Sequence, residues 1–280
     1  MFSDRFHSGI LLLLLGLGAC SVREDRSECP SLVILDCSCV DAGVLSEAGC
    51  DELSWTLSAG DFRREGRFPA DELPSEYIVE TPRTEANLLV IAGDDGRFEP
   101  DAGLVIPEGE SCPPLFAGKT AVDATLPEIR VPVILYKRHV RMEIRLRDLM
   151  QQGLGYVVLG NVCGYGPDLE PLPGTFRVPL VPDRTGKCVI LVPAQTDGSL
   201  SLCVYRYGEL DRVFSIGEYI LDSGYDWEAP DLEDITLEIR FCNGTVMRNI
   251  LYQPFIGDGY VDGMKELSPE QNEILRSLLK

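Results

Sequence analysis

From Val140 to Arg147 the chain alternates without a break: Val140, Met142, Ile144 and Leu146 are apolar, and Arg141, Glu143, Arg145 and Arg147 are charged. Strict period two is the signature of a strand with one face in a core and the other in water. The pattern returns at Asp234 to Cys242, where Ile235, Leu237, Ile239 and Phe241 share a face. Strands of this kind are stable only when their apolar faces are covered by another layer, which for a chain poor in helical periodicity means another sheet. The remaining sequence agrees, with 27 glycines and 19 prolines punctuating short β-forming runs. The class these features predict is all-β, built as sandwiches.

In chain order, Leu32 to Val40 reads as a first strand. Residues 54–68 read as two strand pieces around the turn Ser58-Ala59-Gly60-Asp61. Tyr77–Glu80 and Asn87–Gly93 follow, and Asp94-Asp95-Gly96 carries a hairpin signal. Gly103–Ile106 and Leu115–Phe116 are shorter pieces. Ile129 to Tyr136 is a strand interrupted by Pro132, which places it at an edge or a bulge because proline cannot donate to a ladder. Lys137-Arg138 marks a sharp bend or the passage between two domains. Tyr156–Val162, Phe176–Val181, Cys188–Val192 and Leu200–Tyr207 read as strands, with a Gly/Pro-rich stretch over residues 164–182. Asn243-Gly244, between alternating strands, predicts a hairpin to Thr245–Phe255. Ser268-Pro269-Glu270-Gln271 is a capped helix start, and Ile274, Leu275, Leu278 and Leu279 repeat at helical spacing behind it. The organisation expected is residues 1–19 as a signal peptide, 20–30 as an acidic tether, 31–137 and 138–265 as two sandwiches, and 266–280 as a C-terminal amphipathic helix.

The start of the chain has a positive Arg5, an apolar core over residues 9–19 and small residues before Cys20, the parts of a secretory signal peptide. That core is 11 residues long, against the roughly 20 a spanning helix needs. Leu17-Gly18-Ala19-Cys20 resembles the bacterial lipobox, which implies diacylglycerol transfer to the Cys20 thiol, cleavage before it and acylation (palmitate) of the new amine. Removing residues 1–19 leaves 261 residues and an unchanged net charge of −20. A body this acidic repels nucleic acid and anionic headgroups, so no nucleic-acid partner is expected. Of ten cysteines, nine remain once Cys20 is lipidated, an odd number that cannot all pair within the chain. The reading is mostly buried free thiols with at most a pair or two bridged. Cys37 and Cys39 are expected on one face of the first strand.

Residues for chemistry are sparse. His7 leaves with the signal, so His139 is the only histidine of the mature chain, and its parity with Arg141 puts it on the exposed polar face. No nucleophile elbow, C-x-x-C or phosphate loop accompanies it. Asp94-Asp95-Gly96 and Asp258 to Asp262 have cation-binding residue types but lack EF-hand spacing, and solvated turns explain them. Trp55 and Trp227 could form a sugar platform, although core or rim packing is the commoner use of tryptophan. Asn243-Gly244-Thr245 is formally a glycosylation sequon that turn formation already explains. No catalytic, metal or cofactor-binding residue is assigned, and the protein is not expected to be an enzyme.

Several stretches, in order, resemble the fimbrillin-associated anchor lipoproteins of Bacteroidetes-type fimbriae (the FimB/Mfa-type minor subunits). They are Cys20–Pro30 leading into Leu32–Cys37, then Leu115–Gly118 through Val131–Leu135 to Arg138–Met142, and later Ile216–Ile220, Gly224–Trp227 and Asp234-Ile235. The resemblance implies two transthyretin-like/Ig-like β-sandwich domains. It implies lipid attachment at Cys20 to the outer membrane, with Glu24 and Asp25 as an export signal to its outer leaflet. It also implies a fimbrial shaft subunit (fimbrillin) as partner, held at the fimbrium base by strand addition, with an influence on shaft length. The strand pieces suggested for that joint are Ile129–Tyr136 and Asn249–Phe255, and whether the chain donates or accepts a strand stays open. The alternative is a surface lipoprotein that binds glycan or another ligand through its sandwich loops.

Overall fold

The computed structural model describes residues 29–147, 153–230, 232–240 and 251–252. Cys20, the tether before Cys29, Asn243-Gly244, Asp258 to Asp262 and the expected C-terminal helix lie outside the described residues.

The fold is all-β, with four sheets sorted into two pairs. In the first pair, β1 (Ser31–Asp36) is the centre of a three-stranded sheet, with β4 (Glu76–Thr81) antiparallel on one side and β8 (Glu128–Pro132) parallel on the other. Facing it is a five-stranded sheet in the order β3 (Phe62–Pro69), β2 (Glu52–Ala59), β5 (Glu85–Ala92), β7 (Phe116–Asp123) and β9 (Tyr136–Lys137). Val33, Leu35, Leu53, Leu57, Leu88, Val90 and Val131 fill the space between them. Alternation decides this: β2 buries Leu53, Trp55, Leu57 and Ala59 and leaves the intervening residues half-exposed.

In the second pair, β10 (His139–Arg147) lies between β13 (Lys187–Pro193), antiparallel, and β16 (Ile235–Arg240), parallel. The two residues of β17 (Leu251–Tyr252) pair antiparallel with β16 at the edge. The opposing sheet runs β12 (Pro171–Leu180), β11 (Leu154–Tyr165), β14 (Ser201–Arg206) and β15 (Glu209–Phe214). Val140, Met142, Ile144 and Leu146 point inward, as their period predicts, and meet Val158, Phe176, Leu202, Leu237 and Ile239. β12 carries Pro171, Pro173 and Pro179 and is tolerated because it is an edge strand.

One excursion joins the pairs. The connection from β5 to β7 leaves the first sandwich, and β6 (Leu104–Val105) pairs with the end of β11 at Tyr165 and Gly164. Gly164 permits this approach, since a Cβ there would lie 1.9 Å from the Leu104 carbonyl. Further along, the Cys112 amide donates to Leu191 O (2.9 Å), and Ile106 and Cys112 join the second core. A smaller core of Leu89, Ile91, Leu115, Ala117, Leu104, Tyr165 and Leu169 fills the seam.

Several expectations are corrected. The first strand ends at Asp36 rather than Val40, because Asp36 Oδ1 accepts from the Ser38 amide (3.1 Å) and a turn closes from Val40 N to Cys37 O (3.0 Å). Cys37 is therefore buried and Cys39 exposed, not partners on one face. Asp94-Asp95-Gly96 is a turn, with Asp95 and Gly96 at positive φ, but no hairpin follows: β5 pairs with β2 and β7 instead. The strand expected over residues 129–136 is split, β8 ending at Pro132 in one sheet and β9 lying in the other. By contrast, Gly60-Asp61 forms the tight turn expected, with Ala59 opposite Phe62 and Gly60 at φ 58°. Two short helices went unread. α1 (Ala42–Glu47) is capped by Asp41 Oδ1, which accepts from the amides of Gly43 and Val44. α2 (Ile216–Asp222) buries Ile216, Tyr219 and Ile220.

Candidate functional site

The described cysteines are all free thiols, with Cys37, Cys50, Cys112, Cys188 and Cys203 buried. Burial pushes the thiols of Cys50, Cys188 and Cys203 up to about 11, and that of Cys112 further. Such thiols are inert packing groups rather than nucleophiles. Among the described residues no group of three metal-ligating side chains converges. Asp94 Oδ2 is already engaged by the Phe98 amide (2.8 Å). Both tryptophans are interior. Trp55 lies against Phe68 and Tyr77 (5.5 Å to the latter ring), and Trp227 is tilted on Tyr225 at 4.9 Å. Neither offers a face to a sugar.

His139 overturns its expectation. It is buried, 4 % exposed, at the seam between the sandwiches. Nδ1 donates to Leu115 O (3.1 Å), and the ring meets Phe116 edge-on at 5.3 Å. Burial drives its pKa down to about 4, against the raising effect of that hydrogen bond. Parity placed it correctly on the face opposite the β10 core. The first sandwich then covers the start of that face at His139, while Arg141 and Arg145 further along it stay exposed. Glu143, on the same face, is also buried, and Lys187 (2.7 Å) and then Arg145 (2.7 Å) hold its carboxyl below the usual range.

Around His139 the two halves are stitched by polar contacts that sequence reasoning did not foresee. The Tyr165 hydroxyl donates to Arg138 O and accepts from the Ala194 amide (2.8 Å). Lys137 Nζ meets Asp234 at 2.6 Å, and Lys119 pairs with Asp168. These partners lie far apart in the chain, and nothing local marks them. The seam thus has structural groups in place of a nucleophile and base.

What the fold does leave available is strand edge. β8 is an outer strand, as Pro132 predicted. Leu32 N donates to Pro127 O (2.9 Å) and Val133 N to Asp36 O (2.8 Å), which sets the odd-numbered amides of β8 toward β1. The Pro132 nitrogen, with no hydrogen, therefore lies on the open side, where only the Glu128 and Arg130 amides are free to donate. The Arg130 side chain reaches away from that edge, to Asp36 of β1 (3.2 Å) and Glu76 of β4 (2.7 Å). Among the described residues β17 is likewise the outer strand of its sheet, so the described parts of both stretches suggested from sequence for strand addition fall at edges.

Two β-sandwiches in tandem, sealed by an apolar seam and offering strand edges, define a fold shared with fimbrial and adhesin proteins. Among solved structures, the fimbrial anchor protein Mfa2 from Porphyromonas gingivalis matches with a TM-score of 0.59 at 13% identity, over 85% of this chain and 100% of that one. An adhesin candidate from Bacteroides ovatus matches with a TM-score of 0.55 at 12% identity, over 86% of this chain and 96% of that one. A candidate polysaccharide-binding protein from Bacteroides thetaiotaomicron gives a TM-score of 0.55 at 9% identity, over 87% and 99%. No family model and no curated protein sequence matches the chain.

Proposed function

We propose that this chain is a lipid-anchored minor fimbrial subunit that holds a fimbrial shaft on the outer membrane. The observation that carries the reading is the end-to-end fold likeness to a fimbrial anchor protein, in a chain whose first residues spell a lipobox. Lipid on Cys20 supplies the membrane contact. A buried CH₂ contributes ~0.8 kcal/mol, and more than one acyl chain is needed for stable attachment. The tether of residues 20–30 leads straight into the first sandwich, residues 31–137, and the second sandwich, residues 138–265, carries the chain away from the membrane.

The shaft subunit joins by strand addition, with main-chain hydrogen bonds to an open edge supplying affinity. β17 suits this better than β8, because Pro132 removes a donor from the β8 edge. Ending the polymer at such a joint also limits shaft length. The reading is non-enzymatic: the only mature-chain histidine is buried and engaged, and burial pushes the thiols of Cys50, Cys188 and Cys203 up. The glycan-binding alternative loses its two tryptophans, since Trp55 and Trp227 are interior, and rests on exposed tyrosines such as Tyr207.

The test is Cys20→Ala in the producing cell. Fimbriae shed into the medium, with the variant protein no longer fractionating with outer membranes, is the expected result. Cell-bound fimbriae of normal length in that variant refute the anchor role.

A further inference from the structure

The two sandwiches repeat one topological feature that strand addition does not require. In each, among the described residues, the first strand and the last strand longer than two residues are parallel and directly paired. β1 pairs with β8 from Leu32↔Glu128 to Asp36↔Pro132. β10 pairs with β16 from Met142↔Ile235 to Arg147↔Arg240. The chain therefore enters this parallel pair of the first sandwich at one end and leaves the pair at the other, passing on to β9. The same holds between the start of β10 and the end of β16.

We infer that these parallel pairs are tension clamps, which make the protein a load-bearing link between membrane and shaft. Tension drawn from the tether pulls β1 by its N-terminal end. Tension drawn from the second sandwich first meets the two pairs of β9 with β7, Phe116↔Lys137 and Ala117↔Tyr136, and once these part it pulls β8 by its C-terminal end. Parallel strands pulled at opposite ends slide along one another, so every hydrogen bond between them is loaded together and no end bond can open first. Antiparallel or same-end loading would open the ladder one bond at a time.

Details around β1 strengthen the clamp. β1 is also held by β4 through pairs from Ser31↔Thr81 to Asp36↔Glu76, so it has no free edge. The ladder to β8 is closed at both ends, by Leu32 N to Pro127 O (2.9 Å) and Val133 N to Asp36 O (2.8 Å). Ser31 Oγ adds a bond to Leu126 O at 2.6 Å, beside the point where the tether arrives. Arg130 straps β8 to both Asp36 of β1 and Glu76 of β4. Val33 and Leu35 are fully buried beneath, so sliding β1 also exposes core.

The biological use rests on the anchor reading, but the mechanical property does not, and the experiment separates them. Single-molecule force spectroscopy is run on the mature Cys20→Ser chain carrying bio-orthogonal handles at two positions. Handles at residues 29 and 134 load β1 and β8 from opposite ends. Handles at residues 39 and 134 load the same two strands from the same end. Cys29, Cys39 and Ile134 are exposed, so the handles leave the core intact. Forced unfolding reports the unfolding barrier, and loading the ladder bonds together is expected to raise the rupture force at least roughly twofold over the 39/134 geometry at equal loading rate. Equal forces in the two geometries, or a lower one for 29/134, overturn the inference. Failure of Cys20→Ala to release fimbriae removes the anchor role and leaves the force comparison standing.

Discussion

His139 makes the stability of the fold depend on pH in a calculable way. The imidazole is 4 % exposed, donates to Leu115 O and titrates near 4 in the folded state, against 6.5 for an unperturbed histidine. Below 6.5 the unfolded chain takes up a proton that the folded chain refuses until the pH approaches 4. The contribution is therefore full at pH 7 and above, and it is lost as the pH falls through that window. The shift corresponds to about 3 kcal/mol over the whole window. About 2 kcal/mol of it is lost between pH 7 and 5, where ordinary carboxylates are still ionised. His139→Phe replaces the ring with one that also packs on Phe116 and does not titrate. The Leu115 carbonyl keeps the Arg138 amide as a partner at 2.9 Å. Urea unfolding of both proteins at pH 7, 6 and 5 gives the difference directly. The wild type is expected to lose about 2 kcal/mol more than the variant between pH 7 and 5. Parallel loss in the two proteins refutes the buried-imidazole argument.

Two further outcomes follow from the packing. A side chain at Gly66 would place its Cβ 2.5 Å from the Trp55 ring, so Gly66→Val is expected to cost about 1–3 kcal/mol, read as a lower urea midpoint by tryptophan fluorescence. Brief alkylation of the native protein at pH 8 should modify Cys29 and Cys39 and spare Cys50, Cys112, Cys188 and Cys203 until denaturant is added. Peptide mass spectrometry checks this, and native labelling of Cys112 would contradict its place in the second core.

Much of this architecture was legible before any coordinates. Alternation over residues 140–147 named the strand and its inward face, because side-chain period is a local property of extended backbone. Pro132 named an edge or a bulge, because a missing donor is tolerated there, and the structure makes it an edge. Gly60 named a turn for a similar reason, the ease of positive φ without a Cβ. The acidic charge was plain from residue counts alone.

The pairing of distant strands was not legible. β1 meets β8, and β10 meets β16, through backbone hydrogen bonds that every residue type except proline can make, so no side-chain pattern announces the partner or its parallel sense. Nor did parity reveal the fate of His139. Alternation tells which face a residue is on, and only the assembled molecule decides what lies against that face. Here the first sandwich closes over His139, and the same geometry places Tyr165 under Arg138 and Lys137 beside Asp234. Local chemistry set the strands and their inner faces; the seam and the clamps arose from contacts between segments 24 to 97 residues apart, whose energies exist only once the chain has closed.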